Sequence, residues 1–231
     1  MNIKDKVVLI TGSSRGIGRK AAILYAEQGA QVIVTYCKSK EEAEQVFSAC
    51  NVHAKAYLAR LDVGDSSSIQ ELVEKVKSEY GGLDILINNA GVLTEKLFAE
   101  QTPEEIRSQV EVNLLGLMNT ICAFLPLLEG QDEAVIINVA SRLAKKIVER
   151  KAVYAATKHA VRAFTQSLAL ELPPYIRIYC FNPGLTATGM TNYQGADPLQ
   201  VAQVLLEAGK ETLGKKSGED IDVDELLARV R

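Results

Sequence analysis

The chain has 231 residues, 47% of them apolar and 24% charged, with a formal net charge of −3. That mixture describes an ordinary globular protein with enough apolar residues to fill a sizeable core, and it excludes disorder and collagen-like repeats. A pI near 5.6 also argues against a nucleic-acid or polybasic membrane partner.

Cys37, Cys50, Cys122 and Cys180 are scattered with no Cys-x-x-Cys, so neither a metal site nor a disulfide framework is expected. The run Val7–Ile10 is too short for the core of a signal peptide. The longest uncharged stretch, between Glu111 and Glu129, holds Asn113, Asn119, Thr120 and Pro126 and reads as falling short of a membrane span. The expectation is a soluble, cytoplasmic protein.

Strand-like and helix-like segments alternate along the chain. Val7–Ile10 reads as a strand, and Ile17 to Gln28 as a helix closed by Gly29. Val32–Val34 is a second strand, Glu41–Cys50 a helix, and Ala54–Leu61 a third strand. Asp65 with Ser66 caps a helix running to Tyr80. Leu83–Ile87 makes a fourth strand. Thr102-Pro103-Glu104-Glu105 then combines a capping box with proline at the first helical position, opening a helix that reaches about Leu127. Val135–Val139, a helix over Val153–Leu172 and Ile176–Phe181 follow, then a helix over Pro198–Ala208. The tail from Gly214 is polar apart from a short strand at Ile221–Val223.

Continuously apolar strands alternating with helices imply an α/β fold: a doubly wound, Rossmann-type, mostly parallel sheet of six to seven strands with helices on both faces. No repeat or linker divides the chain, so residues 1–231 are read as one domain. Its cofactor-binding half covers about 1–130 and its catalytic and substrate-binding half about 131–231.

Ligands of such sheets bind beyond the carboxyl ends of the strands, where the unusual residues of this chain fall. Thr11-Gly12-Ser13-Ser14-Arg15-Gly16-Ile17-Gly18 follows the first strand, Asn88-Asn89-Ala90-Gly91 the fourth, Ser141 the fifth, and Asn182-Pro183-Gly184 the sixth. Gly12, Gly16 and Gly18 would let backbone N–H groups and a helix N-terminus approach a diphosphate, although a purely structural turn explains the same spacing. NAD-binding sheets carry an acid at the end of the second strand, whereas this chain reads Thr35-Tyr36-Cys37-Lys38. Arg15 and Lys38 suit a 2′-phosphate instead, so NADP(H) is preferred and NAD(H) stays possible.

Tyr154 and Lys158 lie four residues apart on one face of a helix. A free tyrosine titrates near about 10. A neighbouring ammonium is expected to lower that value and make Tyr154 an acid in ketone reduction or a base in alcohol oxidation. Ser141 offers a hydroxyl to polarise a substrate oxygen, or caps a turn.

Taken together, Thr11–Gly18, Asn88–Gly91, Asn113, Ser141, Tyr154, Lys158 and Pro183-Gly184 resemble the short-chain dehydrogenase/reductase family over Val7 to about Met190. The flavour is closest to NADPH-dependent carbonyl and 3-ketoacyl-carrier-protein reductases. The resemblance implies that Tyr154 is the acid/base, that Lys158 holds the nicotinamide ribose, and that Ser141 orients the substrate oxygen. It also implies that Asn113 supports a water linking Lys158 to solvent. Ser14, Arg15 and Ile17 join the three glycines at the cofactor. Asp62 and Val63 match the adenine contact, Asn89, Ala90 and Gly91 pack along the cofactor, and Pro183, Gly184 and Thr188 contact its nicotinamide end. In relatives the helices at Thr102–Leu127 and Val153–Leu172 pair subunits, so a homodimer or homotetramer is expected.

Three departures qualify the analogy. The loop Arg142–Ala152 lacks the usual glycine after the serine and is charged. The chain after Gly184 leaves only a short lid. The tail Lys216–Val223 replaces the family's closing Val-Asp-Gly-Gly strand. Leu93, Leu143, Ile147, Leu185 and Met190 are candidate pocket walls for a partly apolar small-molecule carbonyl or alcohol. A non-catalytic NADP(H)-binding redox sensor on the same fold is the alternative.

Overall fold

A computed structural model describes residues 1–229. Seven strands, β1 (Val7–Ile10), β2 (Gln31–Tyr36), β3 (Ala56–Arg60), β4 (Ile85–Asn88), β5 (Ala134–Val139), β6 (Ile176–Asn182) and β7 (Asp220–Asp222), form one sheet. Its order is β3-β2-β1-β4-β5-β6-β7, and every pairing is parallel. The order reverses between β1 and β4, which opens a crevice beyond their carboxyl ends.

The helices are α1 (Gly16–Glu27), α2 (Lys40–Asn51), α3 (Ser66–Tyr80), α4 (Pro103–Val110), α5 (Gly116–Glu129), α6 (Ala152–Leu168), α7 (Pro198–Lys210) and α8 (Val223–Arg229). Residues of β1, β4 and β5 are buried throughout, and alternate side chains feed two cores. Val8, Ile10, Val32, Val34, Ile87 and Ile137 pack with α1, α2 and α7 on one face. Val7, Leu9, Ile33, Leu86, Ile136 and Ile178 pack with α3, α5 and α6 on the other. The period of two along a strand makes both layers from one sequence run.

The caps read from the sequence are present. Asp65 accepts from Ser67 N at 2.9 Å. Thr102 and Glu105 close a reciprocal box at 3.3 and 3.0 Å.

Four expectations are corrected. The helix expected from Thr102 to Leu127 is not uniform, because Glu111–Leu115 forms a π-turn between α4 and α5. The helix expected over Val153–Leu172 stops at Leu168, since Pro173-Pro174 disfavours helical backbone just before it. The strand expected at Ile221–Val223 runs over Asp220–Asp222, and Val223 instead opens α8, docked on the core by Leu226 and Leu227. Lastly, the helical stretch Pro103–Glu129, which holds an 18-residue window of mean hydropathy 1.5, is by length and composition long enough to cross a membrane. In this fold it lies on the sheet, with Leu117, Ile121, Phe124 and Leu128 in the core.

Candidate active site

The carboxyl ends of β1, β4, β5 and β6 carry the expected groups into one region. The turn after β1 takes positive backbone φ at Gly12 (+64°) and Gly16 (+60°), a conformation that favours glycine. A Cβ on Gly18 would fall 2.5 Å from Asn89 Nδ2 and 2.8 Å from Gly12 O, so α1 approaches the turn too closely for any side chain there.

Uncharged hydrogen bonds fix this turn. Thr11 Oγ1 accepts from both Asn89 N and Ala90 N at 2.9 Å. Asn89 Nδ2 donates to Thr11 O at 2.9 Å and Gly12 O at 3.0 Å, and Gly12 N donates to Thr35 Oγ1 at 3.0 Å. Asn89 therefore spends its amide on the turn itself.

These residues fit a dinucleotide diphosphate. Arg15 is the N-cap of α1 but makes no capping hydrogen bond, and the first turn holds no acid, so its N–H groups and dipole stay open to an anion. Ser14 is buried and Ile17 packs on the core, whereas Arg15 and Lys38 are exposed. Neither cation joins a salt bridge among the described residues.

The Cys37 thiol is pushed up by burial and by its hydrogen bond to Asp62, while the charges of Arg60 and Lys38 oppose the shift. Lys38, Arg60 and Asp62 thus converge at the ends of β2 and β3. Arg60 is a cation that sequence reading missed. Its register opposite Tyr36 follows only once the strands are paired.

Val63 packs against Gly116. Across the crevice, Thr188 Cγ2 lies 3.2 Å from where a Gly16 Cβ would be, which brings the chain after Pro183-Gly184 onto the glycine turn.

Ser141, Tyr154 and Lys158 also come together. Tyr154 packs with Leu143, Ala155 and Leu93. The Lys158 ammonium sits 5.6 Å from the Tyr154 ring centroid and donates to Val139 O at 2.8 Å.

The expected lowering of the tyrosine pKa is not found. Burial pushes the Tyr154 phenol up to about 12, with a Ser141 hydrogen bond opposing. Burial likewise pulls Lys158 down to about 8, with Cys180 opposing. Desolvation disfavours both charged forms, and the ammonium turned toward Val139 does not offset it at the phenol.

Asn113 sits in the π-turn, a distortion that often marks functional positions. Its Oδ1 accepts from Val92 N at 2.8 Å, and its Nδ2 donates to Val92 O at 2.9 Å and Thr157 Oγ1 at 3.3 Å. It therefore joins the β4 loop to α6 beside Lys158. Of the candidate pocket walls, Leu93 and Leu143 pack beside Tyr154. Ile147 is 86% exposed, and Leu185 and Met190 lie at the surface.

A family model described as short chain dehydrogenase matches residues 6–199. The chain belongs to the short-chain dehydrogenase family. A 3-oxoacyl-(acyl-carrier-protein) reductase of Staphylococcus epidermidis is 31% identical over 226 residues, covering 97% of this chain and 90% of that one. A Shigella flexneri protein described as a short chain dehydrogenase and solved in complex with NADP is 29% identical. It superposes with a TM-score of 0.89, covering 96% of this chain and 98% of that one. An angucycline C-6 ketoreductase with bound NADP is 27% identical, with a TM-score of 0.88 and coverage of 96% and 95%. The short-chain dehydrogenase family assigns the chain to oxidoreductases.

Proposed function

We propose that this short-chain dehydrogenase is an NADP(H)-dependent oxidoreductase interconverting a carbonyl and the matching secondary alcohol, with Tyr154 as acid/base. The observation that carries this reading is the convergence of Ser141, Tyr154 and Lys158 beside a glycine turn with an uncapped helix N-terminus.

A bound nicotinamide supplies or takes up the hydride, and the chain's own groups handle binding and the proton. Gly12, Ser14, Gly16, Ile17 and Gly18 hold the diphosphate, while Arg15 and Lys38 face a 2′-phosphate. Asp62 and Val63 border the adenine. Asn89, Ala90, Gly91, Pro183, Gly184 and Thr188 line the path to the reacting end. NADP in two relatives and the lack of a carboxylate in Thr35–Lys38 support the 2′-phosphate form.

Ser141 donates a hydrogen bond to the carbonyl oxygen, and the Tyr154 hydroxyl gives that oxygen its proton. A phenol held near 12 keeps its proton through the neutral range, so the resting site holds Tyr154 in its proton-donating form. Lys158, titrating near 8, still carries a proton at pH 7 to replace the one given up, and Asn113 steadies the path through Thr157.

The outward face of α5, where Asn119, Cys122 and Pro126 are exposed ahead of the terminal Glu129, supports pairing of two subunits there. A single-domain, cytoplasmic oligomer completes the proposal.

Turnover settles the reading. NADPH is incubated with a panel of aldehydes, ketones and ketoacyl thioesters while loss of reduced-nicotinamide absorbance is followed. Consumption with at least one carbonyl is expected, as is tighter binding of NADPH than of NADH. Tight NADPH binding with no turnover on any carbonyl would make the chain a redox sensor and overturn the enzyme reading.

A further inference from the structure

The two stretches that depart from the family pattern, the charged loop after Ser141 and the acidic tail, meet each other. Lys145 Nζ donates to Asp222 Oδ2 at 2.7 Å and lies 3.6 Å from Asp220 Oδ2. Its hydrogen bond to the Asp222 carboxylate holds the Lys145 ammonium above the ordinary lysine value. Arg162 Nε donates to both Asp220 oxygens, at 3.0 and 2.8 Å. Asn182 Nδ2 donates to Asp220 Oδ1 and Asp222 Oδ1, each at 3.2 Å.

Each of these contacts leads to one functional strand end. Lys145 closes the 3-10 turn Arg142–Ala144, whose start is Ser141. Ala144 N donates to Ser141 O at 2.8 Å, and Leu143 N donates to Ser141 Oγ at 3.1 Å. Arg162 lies one helical turn beyond Lys158 and two beyond Tyr154 on α6. Asn182 is the residue before Pro183-Gly184. Two carboxylates on the last strand therefore touch the serine loop, the tyrosine–lysine helix and the end of β6 at once.

As stabilising ion pairs these contacts count for little, because half-exposed pairs are offset by hydration and side-chain entropy. Their worth is geometric: a reacting group displaced by about 1 Å can lose about a hundredfold in rate.

We propose that Lys145, Asp220 and Asp222 are positioning residues for Ser141, so that the tail strand sets where the substrate-orienting hydroxyl sits. This rests on the assignment of Ser141 made above.

The test is a double-mutant cycle. Lys145→Met is made in the wild-type and Ser141→Ala backgrounds, with Lys145→Arg as the conservative rescue and Asp222→Asn as a shape-preserving second break. In the wild-type background Lys145→Met is expected to lower kcat about tenfold while the Kd for NADPH moves less than about twofold. It should cost nothing further in Ser141→Ala, and Lys145→Arg should restore at least about half of the activity. Equal losses in both backgrounds, or no loss with either break, would overturn the proposal.

A wild type without turnover on any carbonyl would count against the enzyme reading instead. The loop is then read by hydrogen exchange of the Leu143–Lys146 amides. Faster exchange confined to that turn in Lys145→Met and Asp222→Asn supports the tether, and unchanged exchange contradicts it.

Discussion

The two walls of the crevice are held by different chemistry. On the glycine-turn side, Thr11, Ser13, Thr35 and Asn89 pin the backbone with short, uncharged, buried or part-buried hydrogen bonds. On the serine-loop side, the restraint comes from charged side chains that are 12–38% exposed, Lys145, Asp220, Asp222 and Arg162, and residues Lys145–Arg150 face solvent. Buried neutral networks lose their full desolvation cost when one member is removed, whereas half-exposed ion pairs change at little cost in stability. The glycine-turn wall is thus built to be fixed. The serine-loop wall is free to vary in charge and shape without threatening the fold.

Breaking the fixed wall should cost most. Thr11→Val removes the acceptor of two backbone N–H groups while keeping the shape, and should destabilise the protein by about 2–4 kcal/mol in urea titration. Gly18→Ala forces a Cβ against Asn89 and Gly12. It should cost about 1–3 kcal/mol of stability and weaken NADPH binding about a hundredfold by fluorescence titration.

The boundary between the walls is titratable. Lys158 is pulled down to about 8 by burial, so its ammonium is lost as pH rises through that value. In the proposed reaction Lys158 must be protonated to refill Tyr154, so kcat for a ketone should be flat below pH 7 and fall above about pH 8. The smallest effect is expected on the tethered wall. There Lys145→Met should shift stability by less than about 1 kcal/mol in the same urea titration, whatever it does to turnover.

What was legible in the sequence follows from the same contrast. Strands such as Val7–Ile10 and Val135–Val139, the Thr102–Glu105 box and the glycine turn are encoded by neighbouring residues, so local patterning placed them within a residue or two. Ser141, Tyr154 and Lys158 were legible as residues, but the direction of the tyrosine shift was not. It depends on how deeply both groups are buried and on Lys158 turning to Val139 O, which spacing along a helix does not encode. The π-turn at Glu111–Leu115 and the short helix α8 escaped because each lies within about a turn or two of chain and owes its shape to tertiary contacts. The Lys145–Asp222 tether joins segments far apart in sequence, and only the β6–β7 pairing reveals it.

The most direct test of the account is single-turnover reduction by Tyr154→Phe with NADPH in excess, beside the wild type, on the best carbonyl from the panel. The predicted result is a Kd for NADPH within about twofold of wild type and a chemical step slowed by about a thousandfold or more. A variant that reduces the same carbonyl at the wild-type rate would contradict the assignment of Tyr154 as the proton donor.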